Sequence, residues 1–131
     1  MSRKTTPRPT DAELAILRVI WERGEGTVRE IHEELARKHP TGYTTVLKLL
    51  QIMHEKGTVE RDVSQRAHVY RAAQQQNKTQ SQLVGDLLDR AFGGSPAALV
   101  MQALSTRKAS HEELDEIRQL LDEIESRGGR K

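Results

Sequence analysis

Thr44, Thr45, Lys48 and Gln51 are the residues whose types and spacing carry chemistry most clearly. Stepped at 100° per residue from Val46, Thr44, Lys48, Gln51 and Glu55 share one helix face, with Thr45 on its flank. Tyr43, Val46, Leu49, Leu50 and Met53 fall on the opposite, apolar face. Short hydroxyls and an amide can bond base edges and phosphates, and a lysine reaches phosphate or guanine. An ordinary solvated helix face would show more Glu and Lys pairs. Tyr43 projects near the core side, so its ring is expected to pack inward with its hydroxyl toward phosphate.

A second basic group follows closely. Arg61, Arg66, His68 and Arg71 lie in or beside a segment that reads as a hairpin, with Ser64-Gln65-Arg66 as its polar tip. A guanidinium at such a tip can meet a phosphate backbone, and Arg66 is the candidate for that contact.

Catalytic and metal chemistry find no support. His32-Glu33-Glu34-Leu35-Ala36 begins like a zinc-binding H-E-x-x-H, but Ala36 stands where the second histidine would be. His111-Glu112-Glu113-Leu114 has acidic residues that suit the first turn of a helix. Ser64, Ser81, Ser95 and Ser110 sit at turns or caps, and no glycine-rich phosphate loop is present. The chain has no cysteine, which removes disulfides, thiolate metal sites and thiol catalysis together. The expectation is a protein that is not an enzyme and uses no metal or cofactor.

The elements that must position the basic face are marked by caps. Thr10-Asp11-Ala12-Glu13 and Thr27-Val28-Arg29-Glu30 are capping boxes. Leu14, Leu17, Ile20 and Trp21 continue the first helix, which Gly24 stops. Val28, Ile31 and Leu35 form one face of the second, ended by His39-Pro40. The third helix is expected over Thr41–Lys56, with Thr41 as N-cap and Gly57 as C-cap. Strands are expected at Thr58–Val63 and Ala67–Arg71.

From Ala73 to Gln82 the chain is polar and rich in glutamine. Leu83, Val84, Leu87, Leu88, Ala91 and Phe92 then line a helix that ends at Gly93-Gly94. Ser95-Pro96 opens a short apolar helix carrying Leu99, Val100, Met101 and Leu104. A third capping box, Ser110-His111-Glu112-Glu113, starts a helix with Leu114, Ile117, Leu121 and Ile124 at 3-4-3 spacing.

Composition sharpens this reading. At 131 residues and 35% apolar, the chain can build one thin core and needs a partner surface to complete it. Four aromatics, Trp21, Tyr43, Tyr70 and Phe92, are too few for a base-stacking platform. Residues 1–72 hold 13 of the 21 Lys/Arg and 10 of the 19 Asp/Glu, so the positive excess lies in the first half. No apolar run approaches the ~18 residues of a membrane span, which gives the expectation of a cytoplasmic protein without a membrane partner.

Three helices followed by a hairpin is the order of a winged helix-turn-helix, usually with a very short strand near Thr27 added to the sheet. The expected fold is mainly α with a small β-hairpin. A disordered basic arm covers 1–9, the winged helix-turn-helix 10–72, a three-helix dimerisation region 73–127 and a disordered tail 128–131. Two copies packing together would bury the stripes of Leu83, Leu87, Leu88, Leu99, Leu114, Ile117 and Leu121. A different reading is a dimeric helical adaptor that binds protein through the Leu83–Leu104 surface.

The segments 42–51, 55–61 and 66–71 together resemble the penicillinase-repressor family, the BlaI/MecI type of transcriptional repressor. These read Gly-Tyr-Thr-Thr-Val-Leu-Lys-Leu-Leu-Gln, Glu-Lys-Gly-Thr-Val-Glu-Arg and Arg-Ala-His-Val-Tyr-Arg. The resemblance continues through Leu83–Phe92, Gly93-Gly94-Ser95-Pro96 and the last amphipathic helix. It implies a homodimer that binds a palindromic operator in double-stranded DNA. By the match, Thr41, Tyr43, Thr44, Thr45 and Lys48 take the recognition-helix role and Arg66 the wing role. Antibiotic-resistance members are inactivated when a sensor-triggered protease cuts an Asn-Phe bond in the fifth helix. The matching place here is Gln102-Ala103, where both residues depart from that pattern. Copper-responsive relatives use C-terminal cysteine pairs, which this chain does not have.

Overall fold

The computed structural model describes residues 8–128. The order is α1 (Asp11–Arg23), β1 (Gly26–Thr27), α2 (Val28–Ala36), α3 (Tyr43–Lys56), β2 (Val59–Asp62), β3 (Val69–Ala72), α4 (Gln76–Ala91), α5 (Pro96–Thr106) and α6 (His111–Gly128). The three strands form one antiparallel sheet in the order β1-β3-β2. The very short strand expected near Thr27 is β1. The basic arm expected over 1–9 falls, except for Arg8 and Pro9, outside the described residues, as do the last three residues.

Local sequence explains the first three helices. The Thr10 hydroxyl accepts the Glu13 N–H at 3.2 Å, and the Glu13 carboxylate accepts the Thr10 N–H at 3.1 Å. Thr27 and Glu30 repeat this at α2. Each box satisfies orphan donors at a helix start. Gly57 closes α3 at φ 85°, a left-handed conformation that glycine adopts without Cβ penalty. Gly26 is closely packed: a Cβ there would stand 3.1 Å from Ile31 Cγ1 and 3.2 Å from Arg23 Nε, so those side chains would have to give by a few tenths of an ångström.

The apolar faces meet in one core of Ile16, Ile20, Ile31, Val46, Leu50, Met53, Val59 and Tyr70 with their neighbours. α1, α2, α3, β2 and β3 each contribute side chains to it. The Trp21 indole N–H donates to the Gln74 carbonyl at 3.1 Å, and Thr79 is buried with its hydroxyl donating to Gln74 Oε1. The chain divides into two compact units, with the division between Val84 and Gly85, inside α4. The second unit, helical throughout, has no buried residue among those described.

Several boundaries differ from the sequence reading. α3 starts at Tyr43 with Gly42 as N-cap, because the Thr41 hydroxyl donates instead to the His39 carbonyl. Tyr43, the first residue of that helix, lies beyond the core and is 48% exposed, its ring edge-on to His32. α2 ends at Ala36, ahead of His39-Pro40, with Lys38 and His39 N–H groups both closing on the Leu35 carbonyl. The strands are shorter than expected, since Asp62 accepts the Ser64 N–H at 2.9 Å and turns the chain before Val63. Ala67 and His68 belong to the loop. α4 begins at Gln76, well before its apolar stripe, because Thr79 docks that first turn on the first unit. α6 continues through Arg127 and Gly128, where a disordered tail was expected to begin.

Candidate nucleic-acid interface

α3 is held by its inward face. Val46, Leu50 and Met53 are fully buried, so Thr44, Thr45, Lys48 and Gln51 are forced outward and are exposed. Helical spacing alone had put them there, and the structure keeps them together. Gly42 offers no side-chain cap to the first turn. The N–H groups of that turn therefore lie beside the threonine hydroxyls without a side-chain acceptor.

The entry to α3 is pinned by a residue that the zinc-motif comparison had set aside. His32 Nε2 lies 2.7 Å from the Thr41 carbonyl. A carbonyl can only accept, so Nε2 carries the proton and donates. The same imidazole meets Tyr43 edge-to-face at 5.7 Å between ring centroids. His32→Ala removes both contacts and should lower unfolding free energy by about 1 kcal/mol in urea titrations. An unchanged midpoint would show that the bond holds nothing. Sequence spacing could not show this contact, which joins residues nine apart across a turn.

Between α3 and the hairpin runs an open groove of about 600 Å³. Tyr43 and Gln51 line it from α3, Arg61 from β2, Arg66 and His68 from the hairpin loop, and Arg29 from the first turn of α2. Thr44, Thr45 and Lys48 lie along the same helix without lining the groove. Thr41 is engaged within the turn before α3. Arg66 is exposed.

Charge distinguishes this face. No carboxylate lines the groove. Among the described residues, Arg29, Lys48, Arg61 and Arg66 form no ion pair, whereas the nearby Arg23 and Arg71 pair with Glu30 and Glu25 at 3.2 and 3.0 Å. The Glu25 carboxylate pushes the Arg71 guanidinium up from its ordinary pKa, chiefly through their hydrogen bond. The Ser64 N–H holds the Asp62 carboxyl below its usual range. The Thr27 N–H does the same for Glu30, aided by Arg23 and opposed by partial desolvation. These carboxylates are engaged elsewhere, which leaves the groove a net positive field.

The residues expected to dimerise divide by burial. Leu83, Leu88, Leu99, Leu114 and Ile117 are half-buried; Leu87 and Leu121 are exposed. Gln102 and Ala103 are exposed within α5. No group of three or more His, Cys, Asp or Glu placed to hold a metal occurs among the described residues, and no helix there is long and apolar enough to cross a membrane.

The chain is 32% identical to the transcriptional regulator BlaI of Mycobacterium tuberculosis, over 92% of this chain and 88% of that one. It is 26% identical to the penicillinase repressor of Bacillus licheniformis, over 95% and 97%. The solved DNA-binding domain of the repressor BlaI superposes with a TM-score of 0.51 at 26% identity, covering 56% of this chain and 90% of that one. The monomeric form of Bacillus licheniformis BlaI, solved in complex with the blaP half-operator, gives 0.50 at 25% identity, over 57% and 92%. The penicillinase-repressor family model matches residues 9–123, nearly the whole length, and with the winged-helix geometry this places the chain in the penicillinase-repressor family.

Proposed function

We infer that the chain is a DNA-binding transcriptional repressor that reads a palindromic operator as a homodimer. The observation that carries the DNA reading is the exposed Thr44, Thr45, Lys48 and Gln51 face beside a groove of unpaired cations. In a helix-turn-helix, the N-terminal residues of the recognition helix enter the major groove. Thr44 and Thr45 occupy that part of α3, and each offers a methyl for thymine and a hydroxyl for a base edge. Tyr43, with its ring against His32, extends its hydroxyl toward the backbone. Lys48, one turn on, reaches phosphate or guanine. Thr41 supports the helix entry, and Arg66 at the hairpin tip meets the backbone.

The division of labour follows the chain. The winged helix binds DNA, and the C-terminal helices dimerise, their unburied apolar stripes covered by a second copy. Proteolytic relief at Gln102–Ala103 would require α5 to open locally, since both residues lie inside an intact helix. A fragment ending at Gln102 in induced cells, read by mass spectrometry, tests that route.

Binding to DNA upstream of the chain's own gene in a gel shift tests the main reading, and no shift on any duplex would favour the helical adaptor. Two substitutions separate reading from gripping. Thr44→Ala or Thr45→Ala should cost about 1–3 kcal/mol on the operator and much less on random DNA. Equal losses on both would make these threonines helix-start residues only. Arg66→Ala should weaken both DNAs alike and flatten the salt slope by about one unit. An unchanged slope would place Arg66 off the backbone.

A further inference from the structure

Arg61 is the unexplained cation of the first unit. It lies in β2 opposite Tyr70, on the same strand face as the buried Val59. Strand alternation therefore turns its side chain inward, toward α3, while its neighbours Glu60 and Asp62 are exposed. Leu47, Gln51 and Tyr70 share the groove into which it extends. Among the described residues, its Nε is the one buried side-chain nitrogen or oxygen without a hydrogen-bond partner. A buried guanidinium N–H left unpaired is costly, which makes Nε a donor in want of an acceptor.

Two further cations approach the same space from other elements. Arg29 stands in the first turn of α2, where the helix dipole disfavours positive charge. Arg66 comes from the hairpin loop, with His68 beside it. An anion presenting several acceptor oxygens would satisfy Arg61 and neutralise its neighbours; a guanidinium fork suits a phosphate group in particular.

We propose that Arg61 holds a phosphodiester of the DNA backbone in the groove between α3 and the hairpin, with Arg29 and Arg66 at its walls. The proposal rests on the DNA-binding reading above. It assigns the grip to a strand residue behind the recognition face as well as to the exposed tip. Because a phosphate carries no sequence information, Arg61 contributes to affinity and register and not to base choice.

The test compares the full-length wild type with Arg61→Gln and Arg61→Lys by fluorescence anisotropy on a random-sequence duplex. Arg61→Gln should flatten the plot of log affinity against log salt by about one unit per protomer, and Arg61→Lys should restore most of it. A duplex set carrying one neutral methylphosphonate at successive positions locates the contact. At one position neutralisation should weaken the wild type and leave Arg61→Gln unaffected. Titration with inorganic phosphate, followed by amide NMR shifts of the groove residues, separates the sources of the anion. Weak shifts only at tens of millimolar fit the backbone assignment. Saturation at low millimolar phosphate, with an unchanged salt slope in Arg61→Gln, would make this a free-anion site and overturn the proposal. Should Arg61→Gln fail to fold, Arg61→Met, which keeps the apolar stem without the charge, takes its place; a folded Arg61→Met that loses about one unit of slope supports the proposal, and one with the wild-type slope overturns it. Unfolding of both would make Arg61 structural and overturn it. A wild type that binds no duplex would instead sink the repressor reading, whereas wild-type binding with all slopes equal would sink Arg61 alone.

Discussion

Lys56→Met should lower the unfolding free energy by about 3 kcal/mol, the low end for breaking a buried ion pair. The reason lies in Glu13, whose side chain is only 3% exposed. Its carboxylate accepts the Lys56 ammonium at 2.8 Å on Oε2 and 3.1 Å on Oε1, and the Thr10 N–H at 3.1 Å. Without Lys56, the charge stays buried with one donor left to it. Methionine fills much of the lost volume, so the loss measures charge and not packing. Glu13→Gln should cost less, since the amide oxygen can still accept from Thr10 and Lys56, already 30% exposed, can turn to water. The double variant should be more stable than Lys56→Met alone. Chemical denaturation of the four proteins closes the cycle, and a Lys56→Met cost below that of Glu13→Gln would contradict the argument.

This pair also shows where sequence stops being legible. Glu13 was readable as the fourth residue of a capping box, because that motif depends on spacing within one turn. Its second role, anchoring the C-terminal end of α3 to the start of α1, depends on how two helices cross and leaves no local pattern. The same boundary runs through the interface. The outward set on α3 followed from 100° steps, since a helix buries one stripe and exposes the other. His32 on Thr41, and Arg61 turned under the hairpin, are tertiary placements of residues whose types suit solvent equally well. Tyr43 misled because an aromatic at helical spacing reads as core, while the first residue of a helix can overhang it. The glutamine-rich run before Leu83 offers no apolar period from which a contact could be read, yet the Gln74 carbonyl accepts the Trp21 indole N–H and Thr79 is buried against Gln74.

Leu121→Asp should convert the protein to a monomer at micromolar concentration and cut operator affinity by orders of magnitude. Leu121 is 55% exposed in the single chain, so an aspartate there costs the protomer little. Leu114, Ile117 and Ile124 continue the same stripe on α6 at 3-4-3 spacing, and none is buried. A helix with such a stripe is stable only when something apolar covers it. A second copy supplies an identical stripe, and a twofold interface meets each substitution twice. Burying an unpaired carboxylate costs several kcal/mol per site, and each 1.4 kcal/mol is about tenfold in dissociation constant. Ile117→Asp would act in the same direction, but Ile117 is already half-covered within its own chain and would also strain the protomer. Operator binding should fall with the dimer, because a palindrome rewards two linked recognition helices and a lone winged helix meets only one half-site. Light scattering and anisotropy on the same samples test both halves. A wild type of monomeric mass at micromolar concentration would refute the dimer, and a monomeric Leu121→Asp with undiminished operator affinity would detach dimerisation from DNA binding.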